Sequence, residues 1–161
     1  MLPFVRGTIT IAAANGATLR PASLAGALAR MLNEGQARRC AETADATVTF
    51  DGNDQLDYTY VDWLADPFYL VTTGEVRIDR NEREFILCYR LSFRRFMWLS
   101  LGFAALAAGV ALFIFAPWRR PTIAIAVLLG FWFVNGGLSG TIAWLRSRRY
   151  LTRSVRALIA R

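Results

Sequence analysis

The chain has 161 residues, 55% of them apolar, with 19 Arg, 12 acids and a formal charge of +7. That length holds one small domain and one further element. There is no Lys and no His, so neither a Ser-His-Asp nor a Cys-His triad can be assembled within the chain, and the commonest metal ligand is missing.

Met1–Ala12 carries one cation, Arg6, and Thr alternating with Ile. A secretory leader needs an apolar run of about 7–15 residues, so the N-terminus is expected to be retained. Val5, Gly7, Ile9 and Ile11 recur with period two, which predicts a strand over 3–12. After a turn at Asn15-Gly16-Ala17, Pro21 suits a first helical turn. Leu24, Leu28, Met31 and Leu32 then fall on one face. A helix is expected over 21–34, stopped by Gly35.

Gln36–Asp45 is polar and reads as a surface connection. Short strands are expected over 46–50 and 55–61, around the turn residues Asp51-Gly52-Asn53-Asp54. Those acids do not form a calcium loop, because Gly52 is second rather than sixth and Asp62 replaces the Glu wanted at the twelfth place. Trp63, Phe68 and Tyr69 mark a cluster with two readings. Large aromatics fill the core of a small domain, and they also dominate binding surfaces. They are therefore the candidate partner surface.

Gly74–Asp79 and Arg83–Phe93 flank Arg80-Asn81-Glu82, the clearest hairpin signal in the chain. Phe85, Leu87, Tyr89, Leu91 and Phe93 share one face. Cys40 and Cys88 lack metal or redox spacing and read as reduced, buried thiols. The expectation for 1–93 is a small cytosolic α+β domain, one helix on a mainly antiparallel sheet. Its last strand runs into the next segment with no flexible spacer.

That segment, 94–145, holds two uncharged runs, Phe96–Ala116 and Thr122–Leu145, around the turn 117–121. Each is long enough for a bilayer, which asks for about 20 residues. The pattern predicts a two-helix transmembrane hairpin. Charge sets its direction. Residues 1–92 hold nine Arg and twelve acids, for a net −3; residues 93–161 hold ten Arg and no acid, for +10. Nine arginines flank the terminal side of the hairpin and only Arg119 and Arg120 its loop, so both termini are expected in the cytoplasm of a multi-pass protein. Arginine to the exclusion of Lys points to a GC-rich bacterial genome, hence to a bacterial inner membrane. The same distribution assigns the positive charge to topology and excludes nucleic acid as the partner.

Small residues stripe both helices: Ser100, Ala104, Ala107, Ala108 and Ala111 on the first, Asn135, Gly136, Ser139, Gly140 and Ala143 on the second. Such faces let backbones approach closely. Either they close the hairpin on itself, or the Gly136/Gly140 face packs on another copy or another membrane subunit. The tail, 146–161, contains six Arg and an apolar stripe of Leu151, Val155, Leu158 and Ile159. It reads as a basic amphipathic helix lying in the membrane interface. Arg94, Arg95, Arg146, Arg148, Arg149, Arg153 and Arg156 are then the candidate contacts to anionic lipid headgroups.

No cofactor is expected. The function these features suggest is a non-enzymatic accessory, scaffold or assembly subunit that holds its domain against the membrane. The alternative is a membrane-surface enzyme or lipid- or ligand-binding module, using acid pairs such as Asp57/Asp62 or Asp79/Glu82 for proton transfer.

Overall fold

The computed structural model describes residues 4–13, 19–34, 41–51, 66–115 and 121–160. Five strands, β1 (Phe4–Ala12), β2 (Ala41–Ala44), β3 (Thr47–Asp51), β4 (Thr73–Asn81) and β5 (Glu84–Ser92), form one sheet in the order β1-β5-β4-β3-β2. Every neighbouring pair is antiparallel. Helix α1 (Pro21–Glu34) carries the chain from the β1 edge to the β2 edge. Helix α2 (Arg94–Phe115) follows β5 after the single residue Phe93. Helix α3 (Pro121–Trp132), a π-helical segment (Phe133–Leu138) and α4 (Ser139–Ile159) run on without a break, with helical dihedrals at both joints. That makes one rod of 39 residues, about 58 Å at 1.5 Å per residue.

The strand expected over 3–12 is found over Phe4–Ala12, the helix over 21–34 is present, and so is the β4–β5 hairpin, its turn at Glu82-Arg83 rather than at Arg80-Asn81-Glu82. Two further local expectations are corrected. Residues 41–44, read as surface connection, form the edge strand β2. The turn that reverses the chain before β3 is Asp45-Ala46, where Asp45 adopts a left-handed φ of 52°, which a short polar side chain tolerates. The Asn33 carboxamide extends the β2 edge, donating to the Ala41 carbonyl at 3.0 Å and accepting from its N–H at 2.7 Å. The strand expected over 55–61, the Asp51–Asp54 turn beyond Asp51, Cys40 and the loop 116–120 lie outside the described residues.

One face of the sheet is apolar because the strands alternate. Cross-strand rows Ile9–Leu87–Ile78 and Gly7–Tyr89–Val76–Val48 point inward, as does Val5–Leu91–Gly74–Phe50. Two of these rows place a glycine beside an aromatic ring. A Cβ on Gly7 would overlap the hydroxyl end of the Tyr89 ring, and one on Gly74 the far end of the Phe50 ring. The missing side chains are what let both rings reach over the neighbouring strand, an arrangement that also stabilises a strand glycine.

Two helices cover that face. From α1 come Leu24, Ala25, Leu28, Ala29 and Leu32. From α4 come Ser147, Leu151, Ser154, Val155 and Ile159. Leu151 and Val155 are fully buried and share one core with the sheet and α1. This corrects the reading of the tail. Its apolar stripe meets the protein's own sheet, not lipid, because the sheet is wider than α1 alone can cover. The stripe is graded: Gly140, Ala143 and Ser147 are small where α4 leaves the hairpin, and Leu151, Val155 and Ile159 are large over the sheet.

The π segment is a departure from the expected plain helix. Asn135, Gly136 and Gly137 are weak helix formers, and a π turn absorbs one extra residue without ending the rod. The Thr141 hydroxyl donates to the Gly137 carbonyl at 2.8 Å, just past the widened turn.

Candidate functional site

The place where the sheet meets the helices concentrates the specific contacts, and the segment Asp66–Thr72 organises it. The Asp66 carboxylate accepts from the Phe68 N–H at 2.7 Å, and the Val71 N–H donates back to the Phe68 carbonyl at 2.8 Å. This tight turn drives Phe68 inward, where its ring stacks edge-on against Phe50 at 5.0 Å and Tyr150 at 5.4 Å. The Ser147 hydroxyl sits 2.8 Å from the Pro67 carbonyl and 2.9 Å from that of Ala143, one proton between two acceptors.

Thr72 ends the segment with two roles. Its N–H donates to the Ser92 carbonyl at 2.7 Å, and its hydroxyl accepts from the Arg95 N–H at 3.1 Å. It therefore caps α2, supplying from 23 residues away the acceptor that an N-cap side chain normally gives locally. A further tie joins sheet and rod: the Trp144 indole N–H donates to the Tyr89 hydroxyl at 3.1 Å. Arg148 lies over the Trp144 ring, 6.0 Å from its centroid. Comparison with protein-family models, curated proteins and solved structures finds no match. The geometry must carry the functional reading.

The candidate residues separate into groups. Ser100, Ala104 and Ala108 of α2 are buried within the single chain, as are Gly136 and Gly140 of the rod, while Ala111 and Ser139 are half-buried. A Cβ on Gly136 would come 3.3 Å from the Ser100 hydroxyl. The two small faces thus meet inside the hairpin. The side chain of Asn135 lies outside the described residues.

Of the aromatic cluster, Trp63 lies outside the described residues. Phe68 is fully buried, so as a partner contact it is corrected to a core residue. Tyr69, 37% exposed, remains on the surface.

The arginines do not lie at one level. With Gly136 beside Ser100 and the helices antiparallel, Arg94 stands level with about residue 142, so Arg146, Arg148 and Arg149 follow within about 6–10 Å along the rod. Arg153 and Arg156 lie about 16–21 Å beyond that level, flanking the sheet. Arg146 is half-buried and the other six are exposed.

The opposite face of the sheet is polar. The row Arg6–Arg90–Glu75–Thr49 crosses it, with Thr8–Cys88–Arg77–Thr47 beside it. Cys88 is exposed there, not buried as expected, because it alternates with Leu87 and Tyr89. Asp79 engages Arg77 at 3.1 Å across an exposed ion pair, of the kind that adds little stability. Glu82 is in the β4–β5 turn, and Asp57 and Asp62 lie outside the described residues.

Sequence reasoning did not find the Thr72 cap or the Tyr89–Trp144 bond. Both join residues far apart in the chain, and no local pattern announces them. The one available signal was Gly7 and Gly74 interrupting otherwise β-rich runs, since a strand glycine often marks a close approach.

Proposed function

We propose that the chain is an integral protein of the bacterial inner membrane, with α2 and the α3–π–α4 rod crossing as a hairpin and both termini in the cytoplasm. Its role is non-enzymatic: an accessory, scaffold or assembly subunit that presents the sheet at a fixed height and orientation. One observation carries the membrane reading. Large apolar side chains cover the outside of the hairpin, with Trp98 66%, Phe113 86% and Phe133 72% exposed. In water such a surface is a liability; in a bilayer it is solvated. The 22 residues of α2 span about 33 Å, enough for a hydrocarbon core of about 30 Å.

The orientation rests on the arginine count. Arg94, Arg95, Arg146, Arg148 and Arg149, at the level where the hairpin meets the domain, are the proposed contacts to anionic headgroups. The polar sheet face bearing Arg6, Arg77 and Arg90 points away from the chain's own helices, and it is the surface offered to another membrane subunit or a second copy.

Cys88 makes the topology testable. In a Cys40→Ser background, a membrane-impermeant maleimide should leave Cys88 unlabelled in intact cells and label it once the inner membrane is opened. Labelling in intact cells would reverse the orientation. Release of the chain by alkaline carbonate would remove the membrane assignment altogether. The scaffold role is tested by mild cross-linking in native membranes, where recovery of the chain strictly alone would count against it. The lipid- or ligand-binding alternative draws support from a groove at the hairpin mouth.

A further inference from the structure

That groove is walled by Phe4 from β1, by Arg94, Met97, Trp98 and Leu101 from α2, and by Trp132 from α3, and holds about 420 Å³. Small-molecule sites span about 300–1,000 Å³. The four α2 residues fall at i, i+3, i+4 and i+7, so they form one continuous stripe down one helical face. The stripe is polar only at its first member. Leu101 stands seven residues past Arg94, about 10 Å along the axis. Helical side chains lean toward the N-terminus, so the Arg94 guanidinium leans away from the apolar wall and toward the domain.

The wall is surface, not core: Arg94, Trp98, Leu101 and Phe4 are all exposed. Phe4 forms the lip on the domain side, and the Arg90 guanidinium lies 4.7 Å from its ring centroid, which puts a second cation behind the first. Residues 93–161 contain no acid, so the α2 and α3 walls offer an anion only attraction.

We infer that this groove seats one membrane phospholipid with an anionic headgroup. Its phosphate lies at Arg94 and the upper part of an acyl chain runs along Met97, Trp98 and Leu101 against Trp132. The inference rests on the membrane insertion proposed above. The wall chemistry selects the occupant. Among the described lining residues a soluble metabolite would meet the Arg94 charge, the indole N–H groups and no other polar side chain to fix it. A neutral lipid would leave the guanidinium unmatched. An amphiphile with one anionic end and an apolar stretch longer than about 10 Å matches both halves of the stripe. Arg153 of α4, exposed beside the sheet and well past the hairpin mouth, is the internal comparison.

The test uses the full chain in phosphatidylcholine nanodiscs containing a small fraction of acyl-brominated lipid, either phosphatidylglycerol or phosphatidylcholine, with tryptophan fluorescence as the readout. Wild type should favour the anionic quencher by about fivefold, the effect of one well-placed arginine at a membrane surface. Arg94→Gln should abolish that preference, and Trp98→Phe should remove much of the quenched emission. Arg153→Gln should change neither. Arg94 and Trp98 are both exposed, so their variants are expected to keep the fold, which circular dichroism checks. Equal quenching by the two lipids in wild type would overturn the inference, as would a preference that survives Arg94→Gln. A chain that is quenched by neither lipid and is washed off by carbonate fails at the earlier step, and the membrane reading falls with the lipid site.

Discussion

Leu151 separates two accounts of the C-terminal helix. If its apolar stripe lay on lipid, trimming Leu151 would weaken membrane contact and leave the domain's stability alone. In the structure Leu151 is fully buried between the sheet and α1, in the same core as Leu28, Leu87 and Val155. Leu→Ala at such a site removes three carbons and leaves a cavity that neighbours only partly fill, a loss of about 3 kcal/mol within a range of roughly 2–5. Small domains have a total stability of about 5–15 kcal/mol, so this is a large fraction. With a urea slope of about 1.5 kcal/mol per molar, the unfolding midpoint should fall by about 2 M. Pulse proteolysis of the reconstituted chain across a urea series reads that midpoint for the domain, while the hairpin stays in lipid. Arg153→Ala, on the exposed side of the same helix, should cost no more than about 0.5 kcal/mol, a midpoint shift of about 0.3 M at most. A Leu151→Ala midpoint indistinguishable from that of Arg153→Ala would refute the shared core.

Five further substitutions probe the joints. Gly7→Val should drive Tyr89 off its seat and cost about 1–3 kcal/mol by overpacking, whereas Tyr89→Phe, which deletes only the hydroxyl that Trp144 reaches, should cost about 1 kcal/mol; the same urea series ranks the two, and a Gly7→Val milder than Tyr89→Phe would contradict the packing. Thr72→Ala removes the α2 cap and should cost about 1 kcal/mol, with hydrogen exchange accelerated at the Arg95 amide but unchanged in mid-α2. Gly136→Leu should force the hairpin helices apart at Ser100 and lower thermal stability in detergent by about 1–3 kcal/mol, while Gly130→Leu, where nothing lies within 4 Å, should not.

The elements that sequence alone predicted well are those whose order is local. β1, α1 and the β4–β5 hairpin announce themselves by period and turn chemistry, since each buries a face that its own spacing defines. Phe85, Leu87, Tyr89 and Leu91 were assigned to one face because alternation in a strand has only two outcomes. The tail failed for a complementary reason. An apolar stripe reports that something covers it, never what does, and Leu151 and Val155 read the same against lipid as against a sheet. Phe68 was ambiguous on the same ground. Cys88 departs from cysteine's general preference for burial because its parity in β5, opposite to that of Leu87 and Tyr89, sets it on the polar face. The Thr72 cap and the Tyr89–Trp144 bond were out of reach, because each needs the register of two elements before the partners can be named.

The joints bear on what the hairpin does. A domain tethered by a flexible linker feels nothing of its anchor. Here one helix starts a single residue after β5, an interior strand of the sheet, and the other leaves the hairpin without a break to become a layer of the domain's own core. Between these two covalent paths stand the Thr72 cap, the Ser147–Pro67 contact and the Tyr89–Trp144 bond. Tilting the rod relative to α2 would have to shear α4 across the sheet or break those bonds, and a packed core resists such sliding rather than yielding gradually. The small faces at Ser100 and Gly136 hold the far side of the same lever. A hairpin meant only to retain a domain at a membrane would not need its second helix inside that domain, and this is the support the joints lend to the proposed scaffold role.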